Sequence, residues 1–281
     1  MLQICLDILE TEKSQHWFSE KVRQVSDGAK AGQFYLAFSS VPRRTSKAGL
    51  SLSEEQLQKL RAIQPAFNPS TWTIDELCRV TLMTCLPLDS NHATLEIFFD
   101  TADMRESVAL YKGLSFLRNA EKFKLRAIDG LRTNITPVFD AIALDNPFAS
   151  NYFEEPEWNQ MVLKAIFMER PIYRIYGIDQ GRNKTLALIL QDYAHERWSA
   201  HRSVSPELWR NVSGYLDSDI SKDLERIMKE GTQLERFAAA KALAGGDWAG
   251  GKAALERAKI VTIDLPSWDE IGQDLEAEKT F

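Results

Sequence analysis

Apolar residues recur at three- and four-residue spacings from end to end of the chain, and the strict alternation that marks strands is sparse, so the pattern predicts an all-α fold. Ile4, Ile8, Trp17, Phe18, Val22 and Val25 lay out a helical start, and Phe34, Leu36 and Phe38 continue an apolar helix stopped by Pro42, with a loop over 43–50. Ser53 with Gln56, Thr73 with Glu76 and Ser267 with Glu270 have the spacing of a capping box, in which side chains and backbone donors satisfy each other. Helices are expected over 73–86, stopped by Pro87, and over 92–99, with Asp100 or Thr101 capping the next. A long helix is expected over 120–144, bent at Pro137, where the missing N–H frees a carbonyl toward a pocket. Others follow over 154–167 and 184–201, then one capped by Ser205 with Pro206 at its first position. From Ser218 the texture turns Ala-rich. Leu234, Phe237, Ala238 and Ala242 share a face, Gly245 and Gly246 close that helix, and 248–258 supplies an antiparallel partner, as in a HEAT-type pair. The expected architecture is an irregular multi-helix bundle over 1–216 with a HEAT-like helical appendage over 217–281.

The net charge of −6 over 281 residues gives no overall basic surface, which argues against nucleic acid or anionic lipid as a partner. Basic residues nevertheless outnumber acidic ones over 164–210, so a locally positive cleft is open to the chain. Cys5, Cys78 and Cys85 lack the paired short spacings of a zinc or redox motif and read as reduced core residues. No signal peptide and no apolar run of spanning length is present, so a cytoplasmic location without a transmembrane segment is expected, and the sequons at Asn134, Asn183 and Asn211 carry no weight.

Between residues 130 and 210 polar side chains and aromatics are interleaved more densely than a plain helical core requires. Arg132, Asn134, Trp158, Asn159, Gln160, Arg174, Tyr193, His195 and Arg197 are the candidate ligand-binding residues, with the arginines reading an anionic group. Tyr and Trp need a partner for the polar end when buried, which fits an amphipathic pocket and fits equally a hydrogen-bond network that only fixes helix register. Asp192, His195 and Ser199 fall on one helix face and resemble parts of a triad, but Ser199 lacks an elbow sequence, and a buried His held by a carboxylate explains the set more simply. His195 and His201 face different sides and form no metal pair. Asp100 with Asp103, Asp192 with Glu196 and Asp219 with Asp223 are spaced like the carboxylate pairs of magnesium-dependent isoprenoid diphosphate enzymes, with Arg132, Arg170, Arg174 and Arg197 available to phosphate. A helix cap and an exposed face account for each pair as well.

Seven strings carry a resemblance: FYLAFSSVPR at 34–43, DTAD at 100–103 with ALY at 109–111, GLRTN at 130–134, NPF at 146–148, WNQMVLK at 158–164 and DYAHERW at 192–198. In this order they resemble the EboA-domain family, well over 33–210 and loosely in the Ala-rich tail. The resemblance implies a bacterial gene group for making or moving a secondary metabolite, whose other members look like a prenyltransferase, a sugar-phosphate cyclase, a TIM-barrel enzyme and hydrolases. It transfers no catalytic residue, cofactor or metal. The expectation is an accessory protein of metabolite trafficking that binds a pathway intermediate or a partner enzyme through a polar-aromatic pocket. The alternatives are a magnesium-dependent enzyme acting on a prenyl or sugar diphosphate, and a scaffold for other Ebo proteins.

Overall fold

The computed structural model describes residues 1–28, 30–246, 248–258 and 264–279. Among them are α-helices, short 3₁₀ turns and one isolated bridge between Gly49 and Thr73, with no strand. The chain divides into two compact units, Met1–Tyr152 and Phe153–Phe281.

The first unit comprises α1 (Leu2–Ile8), α2 (Glu12–Ser26), α3 (Ala31–Arg44), α4 (Glu54–Ile63), α5 (Ile74–Thr84), α6 (Leu88–Phe99), α7 (Met104–Gly113), α8 (Lys124–Gly130), α9 (Thr136–Ala143) and α10 (Phe148–Tyr152). Its centre is α5, which packs against α1, α2, α3 and α7. Leu77, Cys78, Val80, Leu82 and Met83 are buried around its whole circumference, as a helix enclosed on all sides requires. Cys5 and Cys78 are buried free thiols and Cys85 is half-buried.

Two prolines act differently from the sequence reading. Pro42 does not stop α3, which runs on to Arg44 with Leu36 exposed on its outer face. The ring removes the N–H that would bond the Phe38 carbonyl, and Arg79 of α5 supplies a donor instead, Nε to oxygen at 3.2 Å. Burial draws the Arg79 guanidinium below its ordinary pKa, opposed by Asp75 and Glu106. Pro137 does not bend a long helix either. The segment is two helices, α8 and α9, and Pro137 sits in the first turn of α9, where an absent N–H costs nothing. The cap of α7 is Asp103 rather than Asp100 or Thr101: Asp103 and Glu106 form a reciprocal capping box.

The second unit comprises α11 (Glu155–Phe167), α12 (Lys184–Ser199), α13 (Leu208–Val212), α14 (Ser218–Glu230), α15 (Gln233–Ala244), α16 (Ala249–Ala258) and α17 (Trp268–Lys279). Here α15 is central and meets α13, α14, α16 and α17. Its buried Ala238, Ala239, Ala240 and Ala242 leave room for neighbours to approach on several sides, so the Ala-rich tail belongs to the interior of this unit. Helix α13 begins at Leu208, after Ser205 and Pro206 form a turn, because the Leu208 N–H bonds Ser205 O only as a turn.

Candidate functional site

Two neighbouring helix ends in the second unit create a cleft. Helices α11 and α12 both finish in a Schellman motif, which reverses the chain and satisfies the last carbonyls. In α11 the Arg170 N–H bonds Ala165 O and the Glu169 N–H bonds Ile166 O; in α12 Arg202 bonds Arg197 O and His201 bonds Trp198 O. The reversing residue, usually glycine, is Glu169 (φ 56°) in one and His201 (φ 55°) in the other. Each side chain there costs roughly 1–2 kcal/mol, and strain of this kind concentrates at functional sites.

After His201 the chain runs without regular structure through Ser203 and Ser205, held to the last turn of α12 by Arg197 Nε donating to Ser203 O at 2.9 Å. A cleft of about 210 Å³ lies between this segment, the end of α11, and helices α15 and α17. Ile166, Val204, Leu234 and Leu275 give it an apolar side. Tyr193, Arg197, Thr232, Glu235 and Glu278 are its polar lining, together with Glu169, Ser203 and Ser205. A shallower groove of about 450 Å³ shares Leu234 and Glu278 and continues along Phe237 and Asp274.

The α17 wall is fixed in place by several polar contacts. Tyr173 Oη donates to Glu276 Oε2 at 2.5 Å, Arg174 Nη1 lies 3.5 Å from Glu276 Oε1, and Arg210 Nη1 donates to Asp269 Oδ1 at 2.7 Å. Burial and the Glu276 carboxylate push the Tyr173 phenol well above its ordinary pKa, so it remains a donor. Gly272 lets the Tyr173 ring lie against the helix: a Cβ there would run into Cδ1 of the ring. Arg210 also makes two bonds to Asp179, at 2.9 and 2.7 Å.

A family model described as "Metabolite traffic protein EboA" matches residues 1–213. The chain belongs to the EboA family. No curated protein and no solved structure matches it. In this EboA-family chain the matched portion contributes Tyr193 and Arg197 to the cleft, while Thr232, Glu235 and Glu278 come from beyond it.

Of the residues singled out in the sequence, Tyr193 and Arg197 line the cleft, and Arg174 steadies its α17 wall. Trp158 is buried over Gly181, where a Cβ would run into the indole; its Nε1 has no partner among the described residues. Asn159 and Asn183 exchange amide hydrogen bonds at 3.2 and 2.7 Å, and Asn183 Oδ1 also caps α12 through Leu186 N, so Asn159 ties α11 to the start of α12. Gln160 is exposed on α11. Arg132 and Asn134 belong to the first unit, exposed in the turn before α9, with Arg132 3.6 Å from Asp129.

His195 is not buried: it is exposed and meets Asp223 of α14 at 2.7 Å, not Asp192. Ser199 Oγ donates to Glu196 O of its own helix, so Asp192, His195 and Ser199 do not act together. Trp198 stacks with Trp209 and has the guanidinium of Arg226 over its ring, joining α12, α13 and α14. Two of the carboxylate pairs are separately engaged: Asp103 caps α7 and Asp100 pairs with Arg126, while Asp219 pairs with Lys222 and Asp223 with His195; Asp192 and Glu196 are exposed on α12. No group of three metal-binding side chains occurs among the described residues.

The family strings in the first unit hold structure together. Ser39 donates to Glu106 at 2.5 Å, and Asn146 bonds the Tyr111 and Ala141 carbonyls while accepting from Phe148 N. Gly130 faces the Tyr111 hydroxyl, whose pKa burial pushes up to about 12. The cleft residues that sequence reading missed are Ile166, Glu169, Ser203, Val204, Thr232, Leu234, Glu235, Leu275 and Glu278. Of these Thr232 and Glu235 carry the spacing of a capping box, which the structure forms, and Leu234 is legible only as part of the apolar face of its helix.

Proposed function

We propose that this EboA-family chain binds and hands on a small metabolite, held in the cleft of the second unit, without making or breaking its bonds. The family description supports metabolite traffic in general. One observation supports this cleft as the site: Arg197 belongs to its lining with Nη1 and Nη2 uncommitted, since its one hydrogen bond among the described residues is Nε to Ser203 O. A guanidinium fork without a protein partner in a concave, partly apolar site is open to an anionic group of a ligand.

The reading assigns the protein an accessory role in a cytoplasmic secondary-metabolite pathway, with the ligand passed to a partner enzyme. No helix among the described residues is long and apolar enough to cross a membrane. A carrier needs to bind, and the one hydroxyl of the triad-like set is tied to its own helix. Native mass spectrometry of the protein purified from cells carrying the whole gene group tests the proposal. A small molecule that leaves on mild denaturation, and is absent from Arg197→Gln, is the expected result. Retention of that molecule by Arg197→Gln overturns the assignment to this cleft, and an empty protein overturns carriage.

A further inference from the structure

The charges around the cleft carry the reading further. Arg197 brings a guanidinium whose terminal nitrogens have no protein partner among the described residues. In the same lining are two carboxylates from the tail helices, beside Glu169 at the end of α11. Glu278 of α17 has no internal partner among the described residues, and Glu235 of α15 commits only Oε2, which accepts from Thr232 N at 2.7 Å. Neither carboxylate forms an ion pair with Arg197 among the described residues, although all three groups line one cleft. Opposite charges that share a cleft without meeting leave a gap that a ligand bearing both signs fills.

We infer that the cleft takes a zwitterion of the amino-acid type, its carboxylate on Arg197, its ammonium on the Glu278 side, and its side chain against the apolar wall; this rests on the cleft being the carrier's binding site. The planar guanidinium fork matches a carboxylate in bidentate geometry. A primary ammonium offers three donors, which suits carboxylate acceptors. A diphosphate would satisfy Arg197 but bring its charge toward Glu235 and Glu278, and a simple amine would leave Arg197 unpaired. Ile166, Val204, Leu234, Leu275 and the ring of Tyr193 then receive an apolar or aromatic side chain. The cleft of about 210 Å³ accommodates a molecule of amino-acid size.

The test is calorimetric titration and thermal shift of the full chain with the twenty protein amino acids, with the des-amino acid and the decarboxylated amine of each hit, and with inorganic diphosphate. At least one amino acid is expected to bind, and each one-charge analogue to bind at least tenfold more weakly. Glu278→Gln, an exposed substitution on α17, is expected to weaken the amino acid about tenfold and leave its des-amino analogue unchanged. Arg197→Lys is expected to weaken the amino acid and the des-amino acid alike. If diphosphate or a des-amino acid binds as tightly as any amino acid and depends on Arg197, the zwitterion is overturned while the cleft stands as a binding site. The same holds if native mass spectrometry releases a molecule lacking one of the two charges. If no probe binds and no molecule is retained in cells, the inference and the carrier reading both fall.

Discussion

Replacing Arg79 with Met isolates what the FYLAFSSVPR string does. Arg79 is 3% exposed and its partner Asp75 is 5% exposed, with Nη1 and Oδ2 separated by 3.7 Å. The guanidinium also donates to Phe38 O at 3.2 Å and lies 5.3 Å from the centre of the Phe38 ring. Methionine keeps much of the volume but leaves one buried carboxylate without its counter-ion and one buried carbonyl without its donor. Breaking a buried pair costs about 3–5 kcal/mol; Asp75 retains a hydrogen bond from Thr73 Oγ1 at 2.7 Å, which places the expectation near 3 kcal/mol. Urea unfolding followed by circular dichroism reads this as a fall in midpoint of about 1–2 M. The second arm tests the origin of the carbonyl's need. Pro42→Ala gives the helix its own N–H for Phe38 O, so it should be more favourable in the Arg79→Met background than in the wild type by about 1 kcal/mol. An Arg79→Met effect below about 1 kcal/mol, or an equal Pro42→Ala effect in both backgrounds, refutes the argument.

Gly272→Ala forces a methyl against the Tyr173 ring and the Glu207 carboxylate, so α17 should loosen at a cost of about 1–3 kcal/mol; hydrogen exchange should rise in α17 while the first unit is unchanged. His201→Gly relieves the left-handed strain of ~1–2 kcal/mol and gives back ~0.5–1 kcal/mol to the unfolded glycine, leaving about 0.5–1 kcal/mol of stabilisation; a loss of stability would show that His201 is not strained. Hydrogen bonds from Arg210 hold the Asp179 carboxyl below the usual carboxylate range. Because the folded value is depressed, its stabilisation is complete above about pH 4 and is lost as pH falls through the folded value. Asp179 is 40% exposed, so Asp179→Asn should cost only about 1 kcal/mol at pH 7, and the gap between wild type and variant in urea titrations should close below about pH 4. A gap that stays constant down to about pH 2 would remove the ion pair as its source.

Local chemistry is legible where one short stretch decides the outcome. The boxes at Ser53, Thr73 and Ser267 each place the Gln or Glu side chain on the capping residue's N–H, because partner and cap lie three residues apart. Proline is harder to read, since its effect depends on its place in the helix. At Pro137 the missing donor falls in a first turn and is harmless, whereas at Pro42 it falls in a last turn and is answered by a side chain from α5, 37 residues on. No period in the sequence near Pro42 encodes that answer. Asp100 loses the cap to Asp103 because only Asp103 has Glu106 at the reciprocal position.

The candidate site shows why composition is a poor guide to a pocket. Tyr193 and Arg197 are four residues apart on α12 and so share a face, a local rule that brings both to the cleft. Arg132 and Asn134 draw notice through the same polar texture, yet they lie in a turn where polarity serves the exposed backbone, with Thr133 Oγ1 accepting from Ile135 N. A solvated turn and a ligand pocket use the same residues, and what separates them is the opposite wall. Here that wall comes from α15 and α17, whose Glu235 and Glu278 lie 38 and 81 residues beyond Arg197 and outside the family-matched portion. The tail reads as an appendage in sequence because its own pattern is that of an ordinary helix pair, and no spacing within it relates its carboxylates to Arg197, with which they share a cleft lining. If those carboxylates choose the ligand, family members with different tails should carry molecules of different charge while keeping the same arginine, and exchanging residues 214–281 between two of them should exchange what they bind.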